Sequence, residues 1–94
     1  MSDPIVIVSA ARTPMGAFQG AFAGMTAANL GAAAIKAAVE RAGVDANLIE
    51  EVLMGCVLQA GQGQAPARQA ALQAGLPLSA GCATIHKVCG SAMK

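Results

Sequence analysis

The sequence predicts an α/β fold built as a layered sheet, and three observations carry that reading. Apolar runs of strand character alternate with segments of helical period in the order β-α-β-α-β. The connections between them are short, as α/β units require. Ala and Gly fill 34 of the 94 positions, so helices and strands can approach closely. The same composition limits the core, because Leu, Ile, Val and Phe supply only 21 residues and Trp and Tyr are absent. A free-standing domain of this length already buries a modest share of its surface. The expectation is one part of a larger α/β domain.

Ile5-Val6-Ile7-Val8 is a continuous β-branched run, which suits a first strand buried on both faces. Pro14 pushes Thr13 towards extended geometry, and a Gly-rich loop follows from Met15 to Gly24. Thr26 is the expected N-cap of a helix over Ala27–Ala42, with Gly43 just past its C-cap. Ala28, Ala32, Ile35, Val39 and Ala42 recur at helical spacing and form one apolar stripe. Asp45 is placed to cap a short turn. Within Glu51–Ala60, the run Val52 to Leu58 predicts a second buried strand. Pro66 suits the first position of a helix reaching about Ala74, with Gly75 closing it. Leu76 to Ser79 then leads to a third, short strand over Ala83–Val88.

Net charge is +1, and the six Lys and Arg are scattered singly, which excludes the concentrated basic face that nucleic acid needs. The hydrophobic content excludes disorder. The longest uncharged run, Thr13 to Ile35, has the length of a membrane span but contains Pro14, Gln19, Thr26, Asn29 and four Gly. Gly16, Gly20 and Gly24 match a stacked G-x-x-x-G, yet no apolar host helix surrounds them, so a flexible loop is expected there. No basic residue precedes the short run Ile5–Val8, so no secretory leader is expected. These features predict a soluble, cytoplasmic chain with no membrane contact.

Cys56, Cys82 and Cys89 form an odd set without a C-x-x-C pair. With one His beside them they match neither structural zinc nor a disulfide framework, and no metal site is expected. Cys56 reads as core of the second strand, and Cys82 is not expected to form a redox pair with Cys89. Arg12 and Arg68 are lone cations that read as ion-pair partners of a carboxylate or as subunit-contact residues, with ion pairing expected, and Glu40 and Glu50 are expected to face solvent. Gly61-x-Gly63 lies between strand and helix, as a dinucleotide turn would. Pro66 stands at the third glycine position, however, and no acidic residue follows, so a tight turn is expected.

The chemistry gathers between Thr84 and Lys94. A β-rich run ends at Cys89, and the small residues Gly90, Ser91 and Ala92 follow. A nucleophile on a sharp strand-to-helix turn needs such neighbours, which tolerate backbone strain and let a bulky substrate reach the sulfur. At a helix N-terminus the dipole and free N–H groups favour the thiolate. Those N–H groups, the Cys89 backbone N–H among them, would also stabilise an oxyanion on an attacked carbonyl. A small buried cysteine beside a glycine bend fits the same spacing, which leaves both readings open. His86, three residues earlier, reads either as a base for the thiol or as a structural hydrogen-bonding residue.

Lys87-Val88-Cys89-Gly90-Ser91-Ala92-Met93-Lys94 resembles the nucleophile signature of the thiolase family, usually written N-K-V-C-[GA]-S-G-M-K. Two further segments resemble that family in the expected order: Ile7 to Gly16, its opening strand and loop, and Gly61 to Gln69, a second characteristic loop. The chain departs from the pattern at His86, where Asn is usual, and at Ala92, where Gly is usual. The resemblance implies the N-terminal part of the first half of a thiolase, with Cys89 as the acyl-accepting nucleophile. It implies no covalently bound cofactor and coenzyme A thioesters as substrates. The implied reaction joins two acetyl-CoA molecules into acetoacetyl-CoA and CoA, or reverses it by thiolysis. It further implies the remainder of a thiolase chain as partner and a homo-oligomer, dimer or tetramer.

By the same resemblance, the activating His, a second Cys for proton transfer and the CoA-binding loops lie outside residues 1–94, and no CoA-binding residue is assigned within them. Two rival readings stand beside it: a non-catalytic or split-chain structural piece, and a condensing enzyme acting on carrier-bound acyl groups. A helix opened by Gly90 would be cut within its second turn, too short to be stable alone in water. The isolated 94-residue chain should therefore unfold without a cooperative transition, or aggregate. Calorimetry of the monomeric chain checks this, and a sharp two-state endotherm contradicts it.

Overall fold

The computed structural model describes residues 3–94. Its regular elements are helix α1 (Ala27–Ala42), strand β1 (Glu51–Gly55), helix α2 (Pro66–Gln73) and strand β2 (Gly81–Ile85). Short 3-10 turns at Ala46–Leu48 and Ser91–Met93 complete the order. The two strands pair in parallel, from Glu51 opposite Gly81 to Gly55 opposite Ile85. Helix α2 is the crossover between them and packs on α1 and on both strands. This is a βαβ unit with a second helix laid across it, an α/β arrangement as expected.

Helix α1 starts and stops where its caps say it should. The Thr26 hydroxyl accepts from the Asn29 amide at 3.0 Å, and Asn29 Oδ1 accepts from the Thr26 amide at 2.9 Å. This reciprocal box satisfies two amides that helix geometry leaves without partners. Gly43 ends the helix in the left-handed region, at φ 69°, where a side chain would be strained. Asp45 caps the turn that follows, its carboxylate accepting from the Asn47 amide at 2.9 Å.

Helix α2 depends on its surroundings. Pro66 occupies the first turn, but Ala65 precedes it in the left-handed region and offers no side-chain acceptor. The missing acceptor comes from β2, where Thr84 Oγ1 accepts from the Ala67 amide at 3.1 Å. Asn29 Nδ2 donates to Gln73 Oε1 at 2.9 Å and ties the start of α1 to the end of α2.

The core is made of small side chains. Ala28 and Ala32 of α1, Ala67, Ala70 and Ala71 of α2, and Ala80 are buried, with Val52 and Leu76 the larger members. Gly31 marks a close approach, since a Cβ there would lie 3.3 Å from Ala70 Cβ and 3.2 Å from Met54 Cε. Ile35, Val39, Ile49 and Met54 pack around the cluster of Val52, Ala71 and Leu76.

Three expectations for the strands are corrected. Ile5–Val8 pairs with no strand, and Ile5 and Ile7 are 101% and 92% exposed. A β-branched run becomes a strand only beside another, and β1 and β2 here bond to each other. Just after this segment, Arg41 Nη1 of α1 donates to Ala10 O at 3.1 Å. β1 stops at Gly55, well short of Ala60, because the ladder ends with the Cys56 amide on Ile85 O at 2.9 Å. It is also covered on one face only, with Val52 buried and Leu53 46% exposed. β2 begins and ends earlier than expected, leaving His86, Lys87 and Val88 beyond the strand.

Replacing Thr26 by Ala should destabilise the first turn of α1 by about 1 kcal/mol. Hydrogen exchange in a folded protein containing this segment checks it, with the Asn29 amide exchanging roughly fivefold faster, the factor that this energy sets.

Candidate active site

The residues after β2 form a compact backbone turn that presents Cys89 to solvent. The Gly90 amide donates to Lys87 O at 2.9 Å, closing a turn with Val88 and Cys89 at its centre. Val88 takes φ 49° there. Positive φ at the first central position is a place for Gly, and a β-branched residue held there costs about 1–3 kcal/mol. The conformation therefore needs external support.

That support comes from both sides of Val88. Its amide donates to His86 Nδ1 at 3.3 Å. Its carbonyl accepts from Ser91 Oγ at 2.8 Å and from the Ser91 amide at 3.3 Å. Ser91 Oγ in turn accepts from the Lys87 amide at 3.0 Å. One hydroxyl thus bridges the residues on either side of the Lys87–Val88 peptide bond. Ser91 itself sits against the end of β1, where a Cβ on Gly55 would come within 2.7 Å of Ser91 Cβ.

Two sequence expectations change in detail. The segment after Cys89 is a single 3-10 turn, closed by the Met93 amide on Gly90 O and the Lys94 amide on Ser91 O, rather than an α-helix. Of the N–H groups expected to stabilise an oxyanion, those of Gly90 and Ser91 are instead bonded within the turn, to Lys87 O and Val88 O. His86 is exposed and turns its Nδ1 towards the Val88 amide, the geometry of a hydrogen-bonding residue.

The other thiols lie elsewhere. All three cysteines are free, Cys89 exposed and the others partly buried. Cys56 lies one residue past β1 rather than inside it, where its Sγ accepts from Gln62 Nε2 at 3.3 Å and donates to Leu58 O at 3.7 Å. It lines a cleft between α1, α2 and the end of β1, and Cys89 does not. Cys82 sits in β2 beside Arg68. Arg68 corrects the ion-pair expectation, because its guanidinium donates to Ala80 O at 2.9 Å and Leu78 O at 3.2 Å. It fastens the connector between α2 and β2.

Gly61 and Gly63 both take φ 78°, as the tight-turn reading requires. Gln69 Nε2 closes that turn from below with bonds of 2.7 Å to Gln62 O and Gln64 O. Among the described residues, no group of three or more His, Cys, Asp and Glu could hold a metal ion, and no helix is long and apolar enough to cross a membrane. Sequence reasoning missed Ser91 as a member of the site. Its signal was a Ser two residues after a Cys, with only Gly between, since Ser hydroxyls commonly bond backbone nearby.

Comparison with known proteins places this geometry in context. Residues 5–94 match the family model described as thiolase, N-terminal domain. The acetyl-CoA acetyltransferase B, mitochondrial, of Xenopus laevis is 62% identical over 92 residues, which are 98% of this chain and 22% of that protein. The acetyl-CoA acetyltransferase of Pseudomonas aeruginosa is 53% identical over 90 residues, 96% of this chain and 23% of its own length. In three dimensions the chain is similar to the crystal structure of an Ascaris suum thiolase in complex with coenzyme A. That likeness has a TM-score of 0.90 and 41% identity, covering 93% of this chain and 23% of the other. The acetyl-CoA acetyltransferase of Syntrophomonas wolfei gives a TM-score of 0.84 at 40% identity, with 94% and 22% covered. The chain thus spans about 22% of the Xenopus relative's length, and over nearly all of its own it carries both the sequence and the fold of one group: it belongs to the thiolase family.

Proposed function

We propose that this chain supplies the nucleophile of a thiolase, and that Cys89 carries the acyl group between coenzyme A thioesters. The observation that carries the reading is an exposed thiol at a strained turn after β2, inside a segment that matches the thiolase N-terminal domain. Two relatives' names, acetyl-CoA acetyltransferase, and the coenzyme A bound to the Ascaris thiolase support thioesters of coenzyme A as substrates.

The chemistry runs in two balanced steps. The Cys89 thiolate attacks the thioester carbonyl, a carbon–sulfur bond forms to Cys89, and the CoA thiolate leaves and takes up a proton. A second acetyl-CoA then loses an alpha proton to a base, and its carbanion attacks the Cys89 acyl group. Acetoacetyl-CoA forms and the Cys89 thiolate is regenerated. Run backwards, CoA cleaves a 3-ketoacyl-CoA. A thioester suits this relay because the thiolate is a good leaving group and the acyl carbonyl stays electrophilic. The base and the second cysteine belong to chain beyond residues 1–94, so the reading concerns the longer protein, working as a homo-oligomer.

Two measurements on the full-length protein check this. Cys89 should alkylate first under iodoacetamide at neutral pH, because Cys56 and Cys82 are partly buried. Equal or faster labelling of Cys56 contradicts that order. Brief incubation with radiolabelled acetyl-CoA should leave label as a thioester on the Cys89 peptide. Cys89→Ser should lower turnover by roughly 10³-fold or more while CoA binding survives, since a serine hydroxyl is a far weaker nucleophile at neutral pH. Label on Cys56 or Cys82, or undiminished turnover, sinks the reading. A protein that binds CoA yet is never acylated favours the structural-piece alternative.

A further inference from the structure

The turn that presents Cys89 is held in a conformation that its own sequence opposes. Val88 is β-branched and takes φ 49°, and nothing in Lys87-Val88-Cys89 favours that region. Left to itself the Lys87–Val88 peptide would relax towards negative φ and swing the next residue, Cys89, to a new direction.

We infer that Ser91 is a positioning residue for Cys89: its hydroxyl clamps the Lys87–Val88 unit, and Gly55 at the end of β1 leaves the space that seats it. The inference rests on the acyl-transfer reading, because it explains how the proposed nucleophile is aimed. Ser91 Oγ uses both of its capacities locally, accepting from the Lys87 amide at 3.0 Å and donating to Val88 O at 2.8 Å. A hydroxyl that donates and accepts at once has a fixed proton direction, so the two bonds set one arrangement of the turn. Ser91 is partly buried, and its Cβ occupies the volume that a side chain at 55 would fill, to within 2.7 Å. Gly55 is itself fixed by pairing with Ile85, the last residue of β2 before the turn. The clamp is therefore anchored to the sheet and does not float with the turn. His86 Nδ1 holds the Val88 amide from the other side at 3.3 Å. Ser91 touches no reacting atom in this scheme. It acts through Val88.

The clamp is needed only because residue 88 has a Cβ. Glycine takes positive φ without penalty, so Val88→Gly should make Ser91 largely dispensable. This gives a coupling that a merely structural serine would not show. In the full-length enzyme, Ser91→Ala should lower kcat about 10–100-fold, the scale of a misplaced reacting group, while KM changes little. In the Val88→Gly background the same Ser91→Ala change should cost no more than about twofold, the usual error of additivity. Equal losses in the two backgrounds, or no loss with Val88 in place, overturn the inference.

Should Ser91→Ala fail to fold, recovery of folded enzyme in the double variant supports the clamp, and failure of the double variant as well overturns it. Deuterium uptake across Lys87–Ser91 tests the clamp without acetyl-CoA: Ser91→Ala should raise it, and unchanged uptake overturns the inference. Absence of acetyl label on wild-type Cys89 would instead sink the acyl-transfer reading, so the two failures are told apart.

Discussion

The parallel register of β1 and β2 is the constraint on which everything else hangs. Pairing Gly55 with Ile85 ends both strands at the same level. The segment leaving β2 then turns over the end of β1 instead of running past it, and Ser91 meets Gly55 there. A parallel pair needs a crossover, and the chain from Cys56 to Ala80 supplies it, with the eight-residue α2 as its helix. The helix lies on one face of the sheet and α1 lies against the helix, so each layer is located by the one beneath it.

What holds the layers is closeness more than bulk. The buried set is mainly Ala, and Gly31 of α1 faces Ala70 of α2 and the end of Met54 without a side chain of its own. Packing of this kind yields many short contacts over little apolar area, and it leaves large residues outside. Ile5, Ile7, Phe18 and Leu58 are exposed. The helices and the strand pair consequently lean on directional bonds. Arg68 binds two carbonyls of the connector, Gln69 binds two carbonyls of the Gly61–Gln64 turn, and Asn29 reaches Gln73.

Much of this was legible along the chain wherever the controlling physics is local. Thr26, Gly43, Asp45 and Pro66 mark helix and turn boundaries by their own backbone or hydrogen-bonding preferences, and α1 runs over the span that its caps delimit. Strand ends were not legible, because pairing is decided by a distant partner. Val57 and Leu58 continue the apolar run of β1 after the ladder has stopped, and Ile5–Val8 has strand composition without a neighbour. Cys89 announced itself by a run of small residues and a family signature. The left-handed Val88 did not, since no glycine marks it, and Ser91 gains its place only once the turn has closed. The charge of Arg68 is visible in a sequence and points to an ion pair, whereas the Leu78 and Ala80 carbonyls that it binds carry no such mark.

The bond from the Ala67 amide to Thr84 has a consequence for how the unit assembles. Helix α2 has no cap of its own, so its first turn is completed only when β2 lies in place. Successive strand residues point to opposite faces, and a slip of β2 by one position would carry Thr84 away from the helix. Cys82, Ala83 and Ile85 offer the amide no hydroxyl. A misregistered sheet would thus leave the helix end unsatisfied, and the penalty would fall on an element that is not part of the sheet. The helix proofreads the strands. An eight-residue helix too short to be stable by itself becomes firm only after the alignment beneath it is right.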